Sequence, residues 1–291
     1  MKNMLVALLL AGAAAGSTTA VAAQGAADAV EVQFSEIAES VIRIRTIANL
    51  EYEETDPRTG AISTATRPYS VDGSGVIVGT LEIGGRTEYL ILTNHHVADA
   101  SNYVLEDGGY LRVNPTNTMA VPSVEETSYL VDDPGDESSE DDIRLIELVR
   151  LVRGDMTLMR TDGADRKLPF FGGAIGYRPD EIGAGAPIIT SGFPLGGKKL
   201  VAEGTIAETD HLHELGLPHH DFIVDVPVAP GQSGGPIFLV EGDPAVGEAV
   251  SFRLIGLVHA KDRERNYAVP YALWTEALDE FPGVLVQRLR R

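Results

Sequence analysis

The sequence predicts an all-β protein built as a barrel or sandwich system, and three observations carry that expectation. Short runs rich in Val, Ile, Leu, Thr and Tyr recur about eleven times; 31 glycines and 16 prolines punctuate them; and strands do not alternate with helices as a parallel sheet would require.

The 291-residue chain opens with Lys2, an apolar run from Leu5 to Ala15, and small residues up to Ala23. That pattern predicts a secretory signal over residues 1–23, cleaved after Ala22 or Ala23, because the apolar run is too short to span a bilayer. Residues 24–40 form an N-terminal segment in which Val30, Phe34, Ile37 and Val41 recur at helical spacing, so a short amphipathic helix is expected there.

Residues 41–166 carry the first group of strands: Val41 to Ile47, Gly75 to Val78, Tyr89 to Thr93, Leu145 to Val152 and Met156 to Met159. The segment from Lys167 to Asp180, with Pro169, Gly172, Gly173, Gly176 and Pro179, breaks the pattern and separates two halves. Residues 167–270 carry the second group: Ile188 to Ser191, Lys199 to Ala207, Phe222 to Val226, Pro236 to Val240, Leu254 to Val258 and Tyr267 to Val269. After Pro270, Tyr271, Trp274, Leu278 and Phe281 share one helical face, which predicts a closing helix and a basic tail over residues 271–291.

Composition narrows the function. A formal net charge of −20 disfavours nucleic acid as a partner, since phosphates need a basic footprint, and it opposes binding to anionic membranes. No stable membrane insertion is expected once the signal is removed. The chain has no cysteine, which removes disulfides, thiolate catalysis and Cys-ligated zinc together. Seven of the eleven residues 132–142 are acidic, without a regular ligand spacing, and read as a solvated loop.

The most informative stretch is Pro230-Gly231-Gln232-Ser233-Gly234-Gly235-Pro236, a serine between glycines just before an apolar strand. Glycines allow the backbone to turn tightly, and such a loop can aim the amides of Gly231 and Ser233 at a developing oxyanion. A serine hydroxyl is too weak an acid to attack an amide unaided, so an imidazole must take its proton and a carboxylate must orient that imidazole. Leu92-Thr93-Asn94-His95-His96-Val97 supplies histidine at the end of an apolar strand, and Asp155 opens another, Met156 to Met159.

These segments resemble the chymotrypsin-fold serine peptidases, specifically the HtrA/Deg branch. The resemblance rests on Gly73-Ser74-Gly75-Val76-Ile77-Val78, Thr93-Asn94-His95-His96-Val97, Asp155-Met156-Thr157-Leu158-Met159, Ser191-Gly192-Phe193-Pro194-Leu195-Gly196 and Gly231-Gln232-Ser233-Gly234-Gly235-Pro236, in that order. It implies a trypsin-like fold of two six-stranded antiparallel barrels with an active site in the cleft between them. It further implies Ser233 as nucleophile, His96 as general base, because the family's histidine directly precedes a valine, and Asp155 as the orienting acid. Asp142, in Asp142-Ile143-Arg144-Leu145, mimics the same acidic word, but Asp155 keeps the family's spacing to Leu168-Pro169.

The resemblance also implies a serine endopeptidase that acts on protein or peptide substrates without a metal or organic cofactor, in the periplasm or outside the cell. The primary pocket is expected from Pro227, Val228, Val258, His259 and Ala260. Pro227 stands where trypsin-like enzymes carry an aspartate, so a small or medium aliphatic residue is expected before the scissile bond. Lys261, Arg263 and Arg265 on the following loop are the competing feature, favouring an acidic residue. Family members often trimerise through an N-terminal segment, so an oligomer is among the expectations. No PDZ module is expected.

Two other readings compete with this one. The word Gly231-Gln232-Ser233-Gly234-Gly235 also fits an α/β-hydrolase esterase, but His259 is the sole later histidine and no βαβ alternation supports it. The second is a catalytically silent protein-binding or holdase module on a protease scaffold. His211, His213, His219 and His220 cluster in the second half and read as an exposed loop, with metal binding or pH response as alternatives.

Overall fold

The computed structural model describes residues 34–56, 58–98, 103–106, 109–112, 125–131, 142–151, 155–177, 181–212, 220–242, 246, 248–261 and 266–270. The expected signal, most of the acidic loop, His213, His219, Arg263, Arg265 and the expected C-terminal helix lie outside these residues.

Six strands close into the first barrel, in the order β1 (Val41–Thr55), β2 (Ile62–Ile83), β3 (Arg86–Thr93), β8 (Met156–Thr161), β7 (Ile143–Leu151) and β6 (Glu125–Val131). A separate hairpin joins β4 (Tyr103–Glu106) to β5 (Gly109–Arg112). The second sheet runs β13 (Pro236–Glu241), β10 (Pro187–Gly192), β11 (Leu200–Leu212), β12 (His220–Asp225), β15 (Asn266–Pro270), β14 (Ser251–Lys261) and β9 (Ala174–Ile175). Because β14 also pairs with β13, the sheet curls back on its first strand and β9 is left as a parallel flank of β14. All ring pairings in both sheets are antiparallel, which makes two six-stranded barrels.

Three apolar cores follow because successive side chains point to opposite faces of strands that are buried on both. Ile44, Ile77, Ile91, Leu130, Leu145 and Met159 fill the first barrel. Ile188, Ile206, Phe222, Val224, Ile237 and Ile255 fill the second. A third core lies between them and mixes residues of both, including Val76, Leu92 and Leu158 with Ile189, Phe238 and Leu254. Phe238 meets Phe171 at 4.9 Å between ring centroids and Phe34 at 5.9 Å, edge-on.

The N-terminal helical pattern ends before Val41, and Val30 lies outside the described residues. Within the described residues the helix covers 34–38, and Val41 already belongs to β1. Ser40 ends it, with both its N–H and its Oγ donating to the Ile37 carbonyl, at 2.9 and 2.6 Å. Phe34 is thereby turned onto the interbarrel core, 5.5 Å from Phe252.

The β1–β2 hairpin is longer than the apolar pattern indicated, with paired residues from Val41↔Val76 out to Thr55↔Ile62. Its turn is set by Asp56, whose carboxylate accepts from the Arg58 N–H at 2.7 Å and whose carbonyl accepts from Gly60 N–H at 2.8 Å. The Arg58 N–H and the hydrogen bonds from Thr59 hold the Asp56 carboxyl below its ordinary range. No helix among the described residues is long and apolar enough to cross a membrane.

Candidate active site

The buried strand β3 delivers its last residues to the seam between the barrels, where residues His95–Ala98 make one helical turn, all buried. Asp155 sits directly before β8 with a left-handed backbone, φ +46°, a conformation that Asp tolerates better than most residues. The two segments are tied through their main chains. The Asp155 carbonyl accepts from His95 N–H at 3.1 Å and from Asn94 Nδ2 at 2.9 Å.

With the backbone fixed, the Asp155 carboxylate meets His96 twice. Oδ1 accepts from the His96 N–H at 2.9 Å, and Oδ2 lies 2.6 Å from His96 Nδ1. Burial pushes the Asp155 carboxyl up, yet attraction to His96 and hydrogen bonds from His259 and His96 outweigh it, leaving it well below the usual carboxylate range. An ionised carboxylate only accepts, so His96 Nδ1 carries a proton, and it is Nε2 that holds the lone pair when the imidazole is neutral. Asp142, at the start of β7, is not the carboxylate that meets this imidazole.

The serine loop follows β12 and turns on glycines. Gly231 has φ +90°, and a Cβ there would lie 2.6 Å from the Phe193 carbonyl oxygen. Gly234 has φ +81° and presses so closely on β2 that a Cβ would meet the Ser74 carbonyl. Gln232 is fully buried and folds back on its own loop, its Oε1 accepting from Ala229 N–H at 2.7 Å. Its amide length suits this bond. Among the described residues, neither the Gly231 N–H nor the Ser233 N–H donates to an intramolecular acceptor.

Ser74 joins the loop to the first barrel. Its N–H donates to the Ser233 carbonyl at 2.8 Å, its Oγ donates to the Gly231 carbonyl at 2.8 Å, and that same Oγ accepts from Phe193 N–H at 2.9 Å. Its own carbonyl accepts from Thr93 Oγ1 at 2.7 Å. In the sequence, the signal of Ser74 is a small hydroxyl residue flanked by two glycines, Gly73 and Gly75. The Ser233 hydroxyl itself points to the His259 carbonyl at 3.4 Å.

The five expected pocket residues divide. Val228 and Val258 are buried in the core of the second barrel, and Pro227 is exposed. The ring of His259 turns onto Asp155, with Nδ1 2.5 Å from Oδ2. The backbone of Ala260 lies in β14. His211 stands opposite Asp221, and His220 opposite Leu212, in the β11–β12 register.

His96, Asp155 and His259 are the described residues whose donor atoms gather closely enough to consider a metal, all within 4.8 Å. The Oδ2 contacts of 2.5 and 2.6 Å are hydrogen-bond lengths. Ligands around a tetrahedral zinc stand about 3.3 Å apart, given bonds of about 2.0–2.1 Å.

Two antiparallel barrels, with a glycine-flanked serine loop on one and a carboxylate–imidazole pair on the other, are the architecture of the chymotrypsin-fold class. The family model of the trypsin-like peptidase domain matches residues 73–247. The chain belongs to that family.

Its relatives extend the likeness. Over 95 residues it is 28% identical to the "Probable periplasmic serine endoprotease DegP-like" of Pseudomonas fluorescens, a match covering 31% of this chain and 18% of that protein. The match thus spans less than a fifth of the curated relative. Among solved structures, the HtrA-type protease AlgW with a decapeptide superposes with a TM-score of 0.50 at 20% identity, covering 88% of this chain and 66% of that one. A serine-to-alanine variant of AlgW, also with a decapeptide, gives 0.54 at 20% identity, covering 89% and 68%. At this identity the superpositions speak for the fold.

Proposed function

We propose that the chain is a serine endopeptidase of HtrA-like type that cleaves protein or peptide substrates in the periplasm or outside the cell, in a protein quality-control setting. The observation that carries the chemistry is the doubly bonded pair of His96 and Asp155, with His96 Nδ1 2.6 Å from Oδ2. Peptides held by the AlgW structures and the periplasmic relative favour the substrate class and the compartment.

In the first half-reaction, Ser233 Oγ attacks the peptide carbonyl carbon while His96 Nε2 takes the hydroxyl proton. Asp155 stabilises the resulting imidazolium, and the Gly231 and Ser233 N–H groups donate to the tetrahedral oxyanion. The intermediate collapses, the amine leaves with the proton from His96, and an ester to Ser233 remains. Water, deprotonated by His96, then attacks that ester and releases the acid. In both half-reactions the neutral imidazole of His96 is the base.

The resting hydroxyl favours a second reading, a silent binding module, since it bonds the His259 carbonyl at 3.4 Å. Rotation about one staggered torsion returns it toward the cleft. Covalent labelling of Ser233 by a fluorophosphonate separates the two: labelling lost in Ser233→Ala supports the peptidase, and failure to label from about pH 6 to 9 supports the binder.

A further inference from the structure

The serine loop lies between two neighbours. On one flank, Gly234 N–H donates to the Val258 carbonyl and Val258 N–H to the Gly235 carbonyl, each at 2.8 Å, which lays the loop against β14. The other flank is the turn 193–199, which links β10 to β11. There Leu195 N–H donates to the Pro230 carbonyl at 2.6 Å, one residue before Gly231.

That turn is held from several sides. Phe193 N–H donates to Ser74 Oγ at 2.9 Å, Gly196 N–H to the Phe193 carbonyl at 3.1 Å, and Gly197 N–H to the Pro194 carbonyl at 2.9 Å. Gly196 presses on the first barrel so closely that a Cβ there would lie 2.8 Å from Arg43 Nη2 and 2.9 Å from Asp72 Oδ2. Arg43 and Asp72 are themselves paired at 2.9 Å. At the far end of the turn, Lys199 Nζ donates to the Ala38 carbonyl at 2.6 Å and stands 5.4 Å from the centre of the Phe193 ring.

Leu195 stands out on this fixed turn. Its backbone is left-handed, φ +54°, and its side chain is 80% exposed. An exposed leucine alone needs no explanation, but L-residues other than Asn and Asp rarely adopt this backbone, and here no burial of the side chain offsets the strain. Strain of that kind gathers where ligands are held. Leu200 and Val201, paired with Gly192 and Ser191 at the foot of the same turn, are exposed large apolar residues too.

We propose that Leu195 is a specificity-determining residue that receives an apolar side chain from the leaving half of the substrate. The inference rests on the peptidase reading and adds a preference to it. With the acyl half directed to the β14 flank, where Val258 and Ala260 lie, a peptide crossing Ser233 leaves over the opposite flank. An extended chain advances about 3.3 Å per residue, so the first two residues after the cut pass the Leu195 side chain. An aliphatic or aromatic group at either place covers the leucine and removes apolar surface from water, which glycine or a carboxylate does not.

A peptide library with one fixed acyl half, varied at the two positions after the cut and read as kcat/KM, tests the site. Leu, Met or Phe at one of these positions is expected to be cut about 5- to 20-fold faster than Gly or Asp. Leu195→Asn suits the left-handed backbone while removing the apolar group, so this chain is expected to melt cooperatively and lose the preference. Leu195→Met is expected to restore it. A preference that survives Leu195→Asn, or one confined to residues before the cut, overturns the proposal. Fluorophosphonate labelling of the unsubstituted chain separates the two levels, because the reagent carries no peptide on the leaving side. A chain that labels but cuts without discrimination after the scissile bond loses this site alone; a chain that neither labels nor cuts loses the peptidase reading and this inference with it.

Discussion

At the scale of single residues, the site depends on a few backbone conformations as much as on its functional groups. Asp155→Asn keeps a residue that tolerates φ +46° but replaces an acceptor with an amide, so labelling of Ser233 is expected to fall about 10⁴-fold with the melting curve still cooperative. Asp142→Asn is expected to label at the unsubstituted rate; the reverse pattern would transfer the acid's role to Asp142. Gly231→Ala places a Cβ 2.6 Å from the Phe193 carbonyl at φ +90°, so both melting temperature and labelling are expected to drop. Normal labelling in that variant would remove the strained turn from the account. The sequence made His96, Asp155 and Ser233 legible because each stands in a short word with its own chemistry. It hid the ring of His259, whose direction is set by a one-residue bulge that leaves no mark on the apolar pattern around it.

At the scale of elements, strand detection followed burial. Tyr89 to Thr93 and Met156 to Met159 are buried almost throughout and stood out as apolar runs, whereas the outer β1–β2 hairpin is rich in Glu, Thr and Ser and is held by main-chain pairing. The two-residue β9 and the strand Glu125–Val131 were missed for the same reason: one is too brief and the other too polar at its start to show a period. Between elements, Ser74 is the rivet that fixes the serine loop to β2. Ser74→Ala removes its side-chain bonds to Gly231 and Phe193 and is expected to cost about 1–3 kcal/mol in denaturant unfolding. It is expected to slow Ser233 labelling as well, and an unchanged labelling rate would show that the loop holds its shape without the rivet.

At the scale of the whole molecule, the interbarrel core decides whether the two halves of the chemistry meet. Phe238 is fully buried between Phe34 and Phe171, so Phe238→Ala is expected to cost about 3–5 kcal/mol, measured by denaturant unfolding. A cost below 1 kcal/mol would mean that the barrels do not depend on this contact. Acid acts through Asp155. Its carboxyl is lower in the folded chain than the ordinary value of 3.8, so the stability it contributes is complete above that value and is lost as pH falls through the folded value. The stability gap between the unsubstituted chain and Asp155→Asn is therefore expected to narrow on acidification below 3.8, and a gap independent of pH would contradict the ionised assignment.

The left-handed turn at Asp155 makes silence easy to reach and hard to disguise. Glutamate would keep the charge but resist the bend, glycine would keep the bend and lose the charge, and only asparagine matches the outline while cancelling the chemistry. On the proposed reading, a scaffold of this kind stands one side-chain atom away from a folded decoy that would leave a bound peptide uncut.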